Sequence, residues 1–290
     1  MNLEEIKITN ASGIYSSSIS SLKDWIDAGV DGVVLKTTTF DSRKGYDYPN
    51  CAVDGNNLVQ AMGLPNPGYK ETTKIAGQIK EERPEVFVIG SLASGDSNEL
   101  LKMLFFMESS VDAVELNISC PHVGNLGSSV GYDFDVLENL CDTAKENFDK
   151  PFGLKLPYYP NDDFLDDFLD VTYHVDFYTC MNSVGKSMMV GEDFGVSNKL
   201  GGLSGPCMKP LSVGQVYRIK KIKDKFIFGC GGIVDRKDVA EYLKVGANGI
   251  QLGSGIRFHE TKKDFVDEAR KGFNHKIKNY FEFGGIEDWD

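Results

Sequence analysis

Two lysines and a cysteine stand where apolar runs end, a setting in which such residues are out of place unless they do chemistry. Lys36 follows the run Gly32–Leu35, Lys155 lies in Phe152–Leu156, and Cys120 comes just after Ala113–Ile118. A lysine among apolar neighbours is costly unless it meets an anion or reacts, the plainer reading being a snorkelling side chain or a buried ion pair. Cys120 is followed by Pro121 and then by Gly124, Gly127, Ser128, Ser129 and Gly131. A free thiol, with a pKa of about 8.5, becomes a base near neutrality if lysine charge lowers it, whereas a cysteine at random is an inert buried thiol. The glycines that follow Cys120 would give that segment the hinge freedom of a lid. His122 is a poor nucleophilic partner for Cys120, because side chains at i and i+2 of an extended segment point opposite ways. His174, His259 and His275 fall in helical or flanking segments and read as structural or solvated.

Three glycine clusters suggest what the lysines face. They are Gly201-Gly202-Leu203-Ser204-Gly205, Gly229-Cys230-Gly231-Gly232 and Gly253-Ser254-Gly255. Phosphate is bound by backbone N–H groups at places where a Cβ would block close approach, so glycine is the residue that permits it. Each cluster alone could be a tight turn, but three together favour a phosphate-bearing ligand. Lysine charge beside a phosphate site suits an electron-rich heterocycle whose reduced form is negative, and a flavin fits that description. Other polar strand ends are Asn10-Ala11-Ser12-Gly13, Lys36-Thr37-Thr38-Thr39 and Asn182-Ser183.

The elements that must position these residues follow from hydrophobic patterning. Near-continuous apolar runs at Ile6–Thr9, Gly32–Leu35, Val86–Ile89 and Ala113–Ile118 read as strands buried on both faces. Phe152–Leu156, Val175–Thr179, Phe226–Phe228 and Gly249–Leu252 read the same way. Helical periodicity follows each, at Ile19–Ala28, Tyr69–Glu82, Asn98–Ser109 and Phe134–Phe148 in the first half. The second half continues with Asp162–His174, Leu211–Lys223, Asp235–Val245 and Lys262–Tyr280. Eight strand–helix units in one chain predict a (β/α)8 TIM barrel in the α/β class, since a doubly wound open sheet uses fewer such units. The long connections Thr37–Gly68 and Met181–Pro210 follow strand ends on the face where barrels build active sites, and are read as functional loops.

Composition bounds the function. The chain has 290 residues, 41% hydrophobic, with 43 acidic against 31 basic residues and a net charge of −12. Nucleic acid or an anionic membrane would require a basic face, so neither is an expected partner. The six cysteines show no metal-type spacing, and a metal site is not expected. The start MNLEEIKITN lacks a signal-peptide pattern, and no apolar run reaches the ~18–20 residues of a membrane span. These features predict a soluble, cytoplasmic protein with reduced thiols, organised as one domain over residues 1–290.

With these residues assembled, the chain resembles the dihydroorotate dehydrogenases, specifically the soluble, fumarate-linked class 1A. The resemblance runs from Asn10-Ala11-Ser12-Gly13 to Gln251-Leu252-Gly253-Ser254. Met62-Gly63-Leu64-Pro65-Asn66, Leu116-Asn117-Ile118-Ser119-Cys120-Pro121, Gly201-Gly202-Leu203-Ser204-Gly205 and Gly231-Gly232-Ile233 are its most specific segments. It implies a barrel holding non-covalent FMN, commonly a homodimer, that oxidises dihydroorotate in pyrimidine biosynthesis. By position, Ala11, Ser12, Lys36, Thr37, Asn117, Lys155 and Ser183 would surround the flavin. Gly205, Gly231, Gly232, Gly253 and Ser254 would hold its phosphate. Cys120 would take a proton from C5 of the substrate while hydride leaves C6, Lys36 and Lys155 would stabilise the reduced ring, and fumarate would reoxidise it.

The resemblance also implies a substrate pocket formed by Lys36, Gln60, Met62, Gly63, Leu64, Asn117, His122, Asn182 and Ser183. Two positions depart from its pattern, because Gln60 and His122 stand where asparagines are expected. Gln reaches one methylene further than Asn, and a neutral His has a single donor and a single acceptor. A different small cyclic amide or unsaturated acid is therefore an alternative substrate. A flavin-dependent reductase of tRNA uridines would require a basic surface or an RNA-binding domain. A flavin-binding sensor without turnover would have no use for Cys120 and both lysines.

Overall fold

The computed structural model describes residues 2–119, 130–190 and 195–275. In chain order the strands are β1 Ile8–Asn10, β2 Gly32–Val34, β3 Cys51–Asp54, β4 Asn57–Gln60, β5 Phe87–Leu92 and β6 Ala113–Asn117. They continue with β7 Phe152–Lys155, β8 Phe177–Cys180, β9 Val184–Ser187, β10 Gly201–Ser204, β11 Phe226–Cys230 and β12 Gly249–Leu252. Eight of them close into a barrel in the order β1-β12-β11-β8-β7-β6-β5-β2, every pairing parallel. The helices are α1 Ile19–Asp27, α2 Tyr69–Glu82, α3 Ser97–Met107, α4 Phe134–Asn147, α5 Asp162–Val171, α6 Lys209–Ile222, α7 Arg236–Lys244 and α8 Lys262–Gly272. They lie between successive barrel strands, so the fold is the (β/α)8 barrel that the strand–helix alternation predicts. All eight apolar runs are barrel strands, with ends displaced by up to a few residues. The helix expected over Lys262–Tyr280 reaches Gly272, and residues 276–290 lie outside the described range.

The helix starts follow from capping chemistry. Asp96 accepts from Asn98 N and Glu99 N before α3, and Asp133, Asn161, Asp235 and Thr261 open α4, α5, α7 and α8 in the same manner. Such a side chain satisfies backbone N–H groups that have no partner inside the first turn.

Inside the barrel the side chains change character with height. The floor is apolar and packs Ile6, Val34, Phe87, Ile89, Ala113, Phe177 and Phe228. Gly153 leaves space for this packing, since a Cβ there would lie 2.5 Å from the Phe177 ring. Above the floor come fully buried polar side chains, among them Thr9, Glu115, Thr179 and Gln251. Residues two apart on a strand face the same side, so Asn117 and Lys155 rise next, at the C-terminal ends of β6 and β7. Among the described residues no helix is long and apolar enough to cross a membrane.

The two long connections hold more structure than the sequence reading gave them. They contribute a four-stranded antiparallel sheet in the order β3-β4-β10-β9. β3 and β4 form a hairpin turning at Gly55–Asn56, and Gly55 has a φ of +54°. An Asp-Gly step between short apolar runs is a hairpin signal that hydrophobic periodicity overlooks in strands of four residues. Val59, Ala61 and Val196 form the small core of this sheet, with Leu203 packed against it.

Candidate active site

One pocket opens at the C-terminal end of the barrel, with about 1170 Å³ of space counted out to its mouth. Its rim comes from both substructures, because Leu58, Gln60 and Ser204 belong to the small sheet and Lys155, Cys230 and Gln251 to barrel strands. Nearly all the described residues singled out from the sequence line it. Ala11, Ser12, Lys36, Thr37, Asn117, Lys155 and Ser183 are among them, and so are Gly231, Gly232, Gly253 and Ser254. Gln60, Met62, Gly63, Leu64 and Asn182 close the opposite side.

Gly205 is the exception, lying outside the lining while Ser204 and Met208 belong to it. Its φ is +114°, and a Cβ would sit 2.7 Å from Asn56 O, so this glycine is required by the β3–β4 turn packed against it. Cys120 and His122 lie outside the described residues, as does the segment 121–129 read from sequence as a lid.

Hydrogen bonds tie the polar side of the pocket together. Thr37 N donates to Ser12 Oγ at 2.9 Å, and Thr37 Oγ1 lies 2.8 Å from Ser12 Oγ and 2.9 Å from Ser91 Oγ. Asn182 Nδ2 donates to Ser119 Oγ at 2.6 Å and to Asn117 Oδ1 at 3.2 Å. Asn117 Oδ1 also accepts from Ser119 Oγ at 3.0 Å, so the two amides are held by one another and by a shared serine. Gln60 is held more loosely, with Nε2 3.5 Å from Ser183 Oγ and Oε1 accepting from Met62 N at 3.4 Å. Beside it, Leu64 has a φ of +57°, a conformation costly for a residue with a branched side chain.

The rest of the lining is mostly backbone and charge. Lys155 is 3% exposed and its Nζ donates to Ser12 O at 3.4 Å. Gly231 and Gly232 have φ of +124° and +69°, and a Cβ on Gly232 would lie 2.6 Å from Lys209 N. The turn therefore accepts only glycine at Gly232. Tyr242 Oη braces it from below by donating to Gly231 O at 2.6 Å. The N–H groups of Gly231, Gly232 and Ser254 make no hydrogen bond to another described residue. Donors left open in this way beside a lysine form a cradle for an anionic oxygen cluster.

Several lining residues have no site role of their own in the sequence reading, among them Tyr15, Met181, Cys230 and Gln251. Gln251 had a readable signal, being an amide inside the otherwise apolar run Gly249–Leu252. Tyr15 had none, since only the chain's path across the barrel mouth brings it there. Of the described cysteines, Cys141, Cys180 and Cys230 are buried, while Cys51 and Cys207 are exposed. Burial pushes the Cys230 thiol up, opposed by the positive charge of Lys155 and reinforced by the negative charge of Glu115. Burial likewise pushes Cys180 up to about 12, so neither is a ready base near neutral pH.

Known proteins share this sequence along most of its length. A family model described as dihydroorotate dehydrogenase matches residues 5–275. The catalytic subunit of dihydroorotate dehydrogenase B (NAD(+)) from Thermoplasma volcanium is 35% identical over 288 residues, covering 92% of this chain and 93% of that protein. The Methanocaldococcus jannaschii protein of the same name is 32% identical, covering 89% of this chain and 86% of its own. The one from Pyrococcus horikoshii is 32% identical over 85% of this chain and 81% of its own length. These names carry NAD(+) and a catalytic-subunit role, so they do not support the placement in the fumarate-linked class 1A or fumarate as the acceptor. The chain belongs to the dihydroorotate dehydrogenase family, whose members are FMN-dependent oxidoreductases.

Proposed function

We propose that this protein oxidises dihydroorotate to orotate for pyrimidine synthesis, as the catalytic subunit of an enzyme that passes its electrons on to NAD+ through a second subunit. The observation that carries this reading is the make-up of the pocket. Open backbone donors of Gly231, Gly232 and Ser254 line it together with Lys155 and the interlocked amides of Asn117 and Asn182.

The residues present fit FMN. The cradle of Gly231, Gly232 and Ser254 N–H groups suits its phosphate, and a Cβ at Gly232 would close the turn that presents them. FMN held there would supply the acceptor for a hydride leaving C6 of the substrate. Lys36 and Lys155 would offset the negative charge that the ring gains on reduction, and the burial of Lys155 makes its charge count for more than it would in water. Asn117 and Asn182 present amides to a planar polar substrate, and their mutual hydrogen bond fixes which groups face it. Cys120, which follows Ser119 in the sequence, would take the C5 proton as the general base.

The experiment is anaerobic mixing of the yellow protein with dihydroorotate. The flavin should bleach, and NAD+ together with the partner subunit should restore its colour. A protein that takes up no added FMN overturns the reading. Gln60 favours a second reading, because a longer amide held only by 3.4–3.5 Å contacts reshapes the substrate side. Bleaching by another dihydropyrimidine, with dihydroorotate inert, would select that reading.

A further inference from the structure

Beneath the pocket floor lies a carboxylate that the proposed reaction does not use. Glu115 is 0% exposed and is the only glutamate buried among the described residues. Its Oε2 accepts from Thr179 Oγ1 at 2.7 Å and from Gln251 Nε2 at 2.8 Å, while Gln251 Nε2 also reaches Thr179 Oγ1 at 3.2 Å. No cation lies within ion-pair distance of it among the described residues, although Lys155 stands on the neighbouring strand two residues further along. Both charges act on the Cys230 thiol, which lines the pocket, the lysine lowering its pKa and the glutamate raising it.

A carboxylate can only accept, so it fixes the Gln251 amide with its NH2 towards Glu115. Gln251 Oε1 is then left without a partner, as is Glu115 Oε1, but of the two only Gln251 belongs to a residue that lines the pocket. A fully buried acceptor with no donor is costly unless a bound molecule supplies one.

We propose that Glu115 is a positioning residue for the flavin site: it locks Gln251 with its oxygen free to accept from the bound ring, and its buried charge opposes that of Lys155. The floor of the pocket is thereby less positive than its lysines alone would make it. Reduction of the ring adds negative charge, so the carboxylate holds the bound flavin's potential below the value that Lys36 and Lys155 would set. Glu115 is fully buried, and a fixed charge there acts at far lower dielectric than one on the surface.

The inference rests on FMN occupying this pocket. Glu115→Gln keeps the shape and removes the charge. The reduced-to-oxidised ratio of bound flavin, equilibrated with a reference dye, should rise at least tenfold, or about 30 mV for a two-electron couple. Glu115→Asp, which keeps the charge, should stay within threefold of wild type. A Gln variant that binds FMN at the wild-type potential overturns the proposal, and so does an Asp variant that shifts as far as Gln. Neither result touches the dihydroorotate reading, which fails instead if wild type takes up no FMN or is not bleached. A measurement on unsubstituted protein covers the case in which Glu115→Gln does not fold. With glutamate labelled at its carboxyl carbon, the reduced-minus-oxidised infrared spectrum should contain a shifted glutamate band, and its absence overturns the proposal.

Discussion

The two sides of the pocket are built on different foundations. Gly231, Gly232, Gly253 and Ser254 follow directly from β11 and β12, strands locked into a closed barrel with parallel neighbours on both sides. Gln60 and Ser204 sit instead in the small antiparallel sheet, whose buried core among the described residues is Val59, Ala61 and Val196. The first side is rigid and presents backbone, which tolerates little change in sequence. The second presents side chains on an insertion, where one residue can be exchanged without disturbing the barrel. A cofactor shared by a whole family and a substrate that can differ between members suit this division.

Four experiments would break or sharpen that comparison. The largest effect is expected from Cys120→Ala. Removal of a general base costs about 10²–10⁴-fold, so stopped-flow reduction of the flavin by dihydroorotate should fall by that factor while FMN stays bound. Loss of FMN itself would move Cys120 from the reaction to the cofactor side. Next comes Gly232→Ala, which forces a φ of +69° and a 2.6 Å contact with Lys209 N. Fluorescence titration should show FMN affinity reduced by about tenfold or more, since a strained residue costs of order 1–3 kcal/mol. Unchanged affinity would mean that this turn does not hold the phosphate.

The substrate side should answer differently. Gln60→Asn together with His122→Asn should raise kcat/KM for dihydroorotate by several-fold and leave FMN affinity where it was. Each good hydrogen bond regained is worth about 0.5–1.5 kcal/mol. No gain would refute the idea that these two positions limit turnover. The smallest functional effect is expected from Asp96→Ala, far from both sides. Loss of its cap on Asn98 N and Glu99 N should cost about 1 kcal/mol and lower Tm by a few degrees, with FMN affinity and turnover unchanged.

The barrel was legible because parallel strands buried on both faces must be apolar along their length, and eight such runs alternate with eight amphipathic stretches. The glycine turns and Lys155 were legible for the converse reason, being residues that an apolar strand end would otherwise reject. The small sheet was not, because strands of four residues such as Asn57–Gln60 are too short for a period to register. For Gly205 sequence alone was silent on the packing, because a glycine looks the same whether it makes room for a ligand or, as the φ of +114° and the Asn56 O contact show, for a neighbouring turn.

Local chemistry along the chain thus determined the fold class, the cap positions and which strand ends carry function. Only the closed barrel decided that Ser12, Thr37, Asn117 and Asn182, separated by up to 170 positions, share one hydrogen-bonded wall. It alone also placed Glu115 beneath Gln251 and Thr179. Strand stagger around a barrel sets which residues meet at a given height, and that relation between distant segments is written in no single stretch of the sequence.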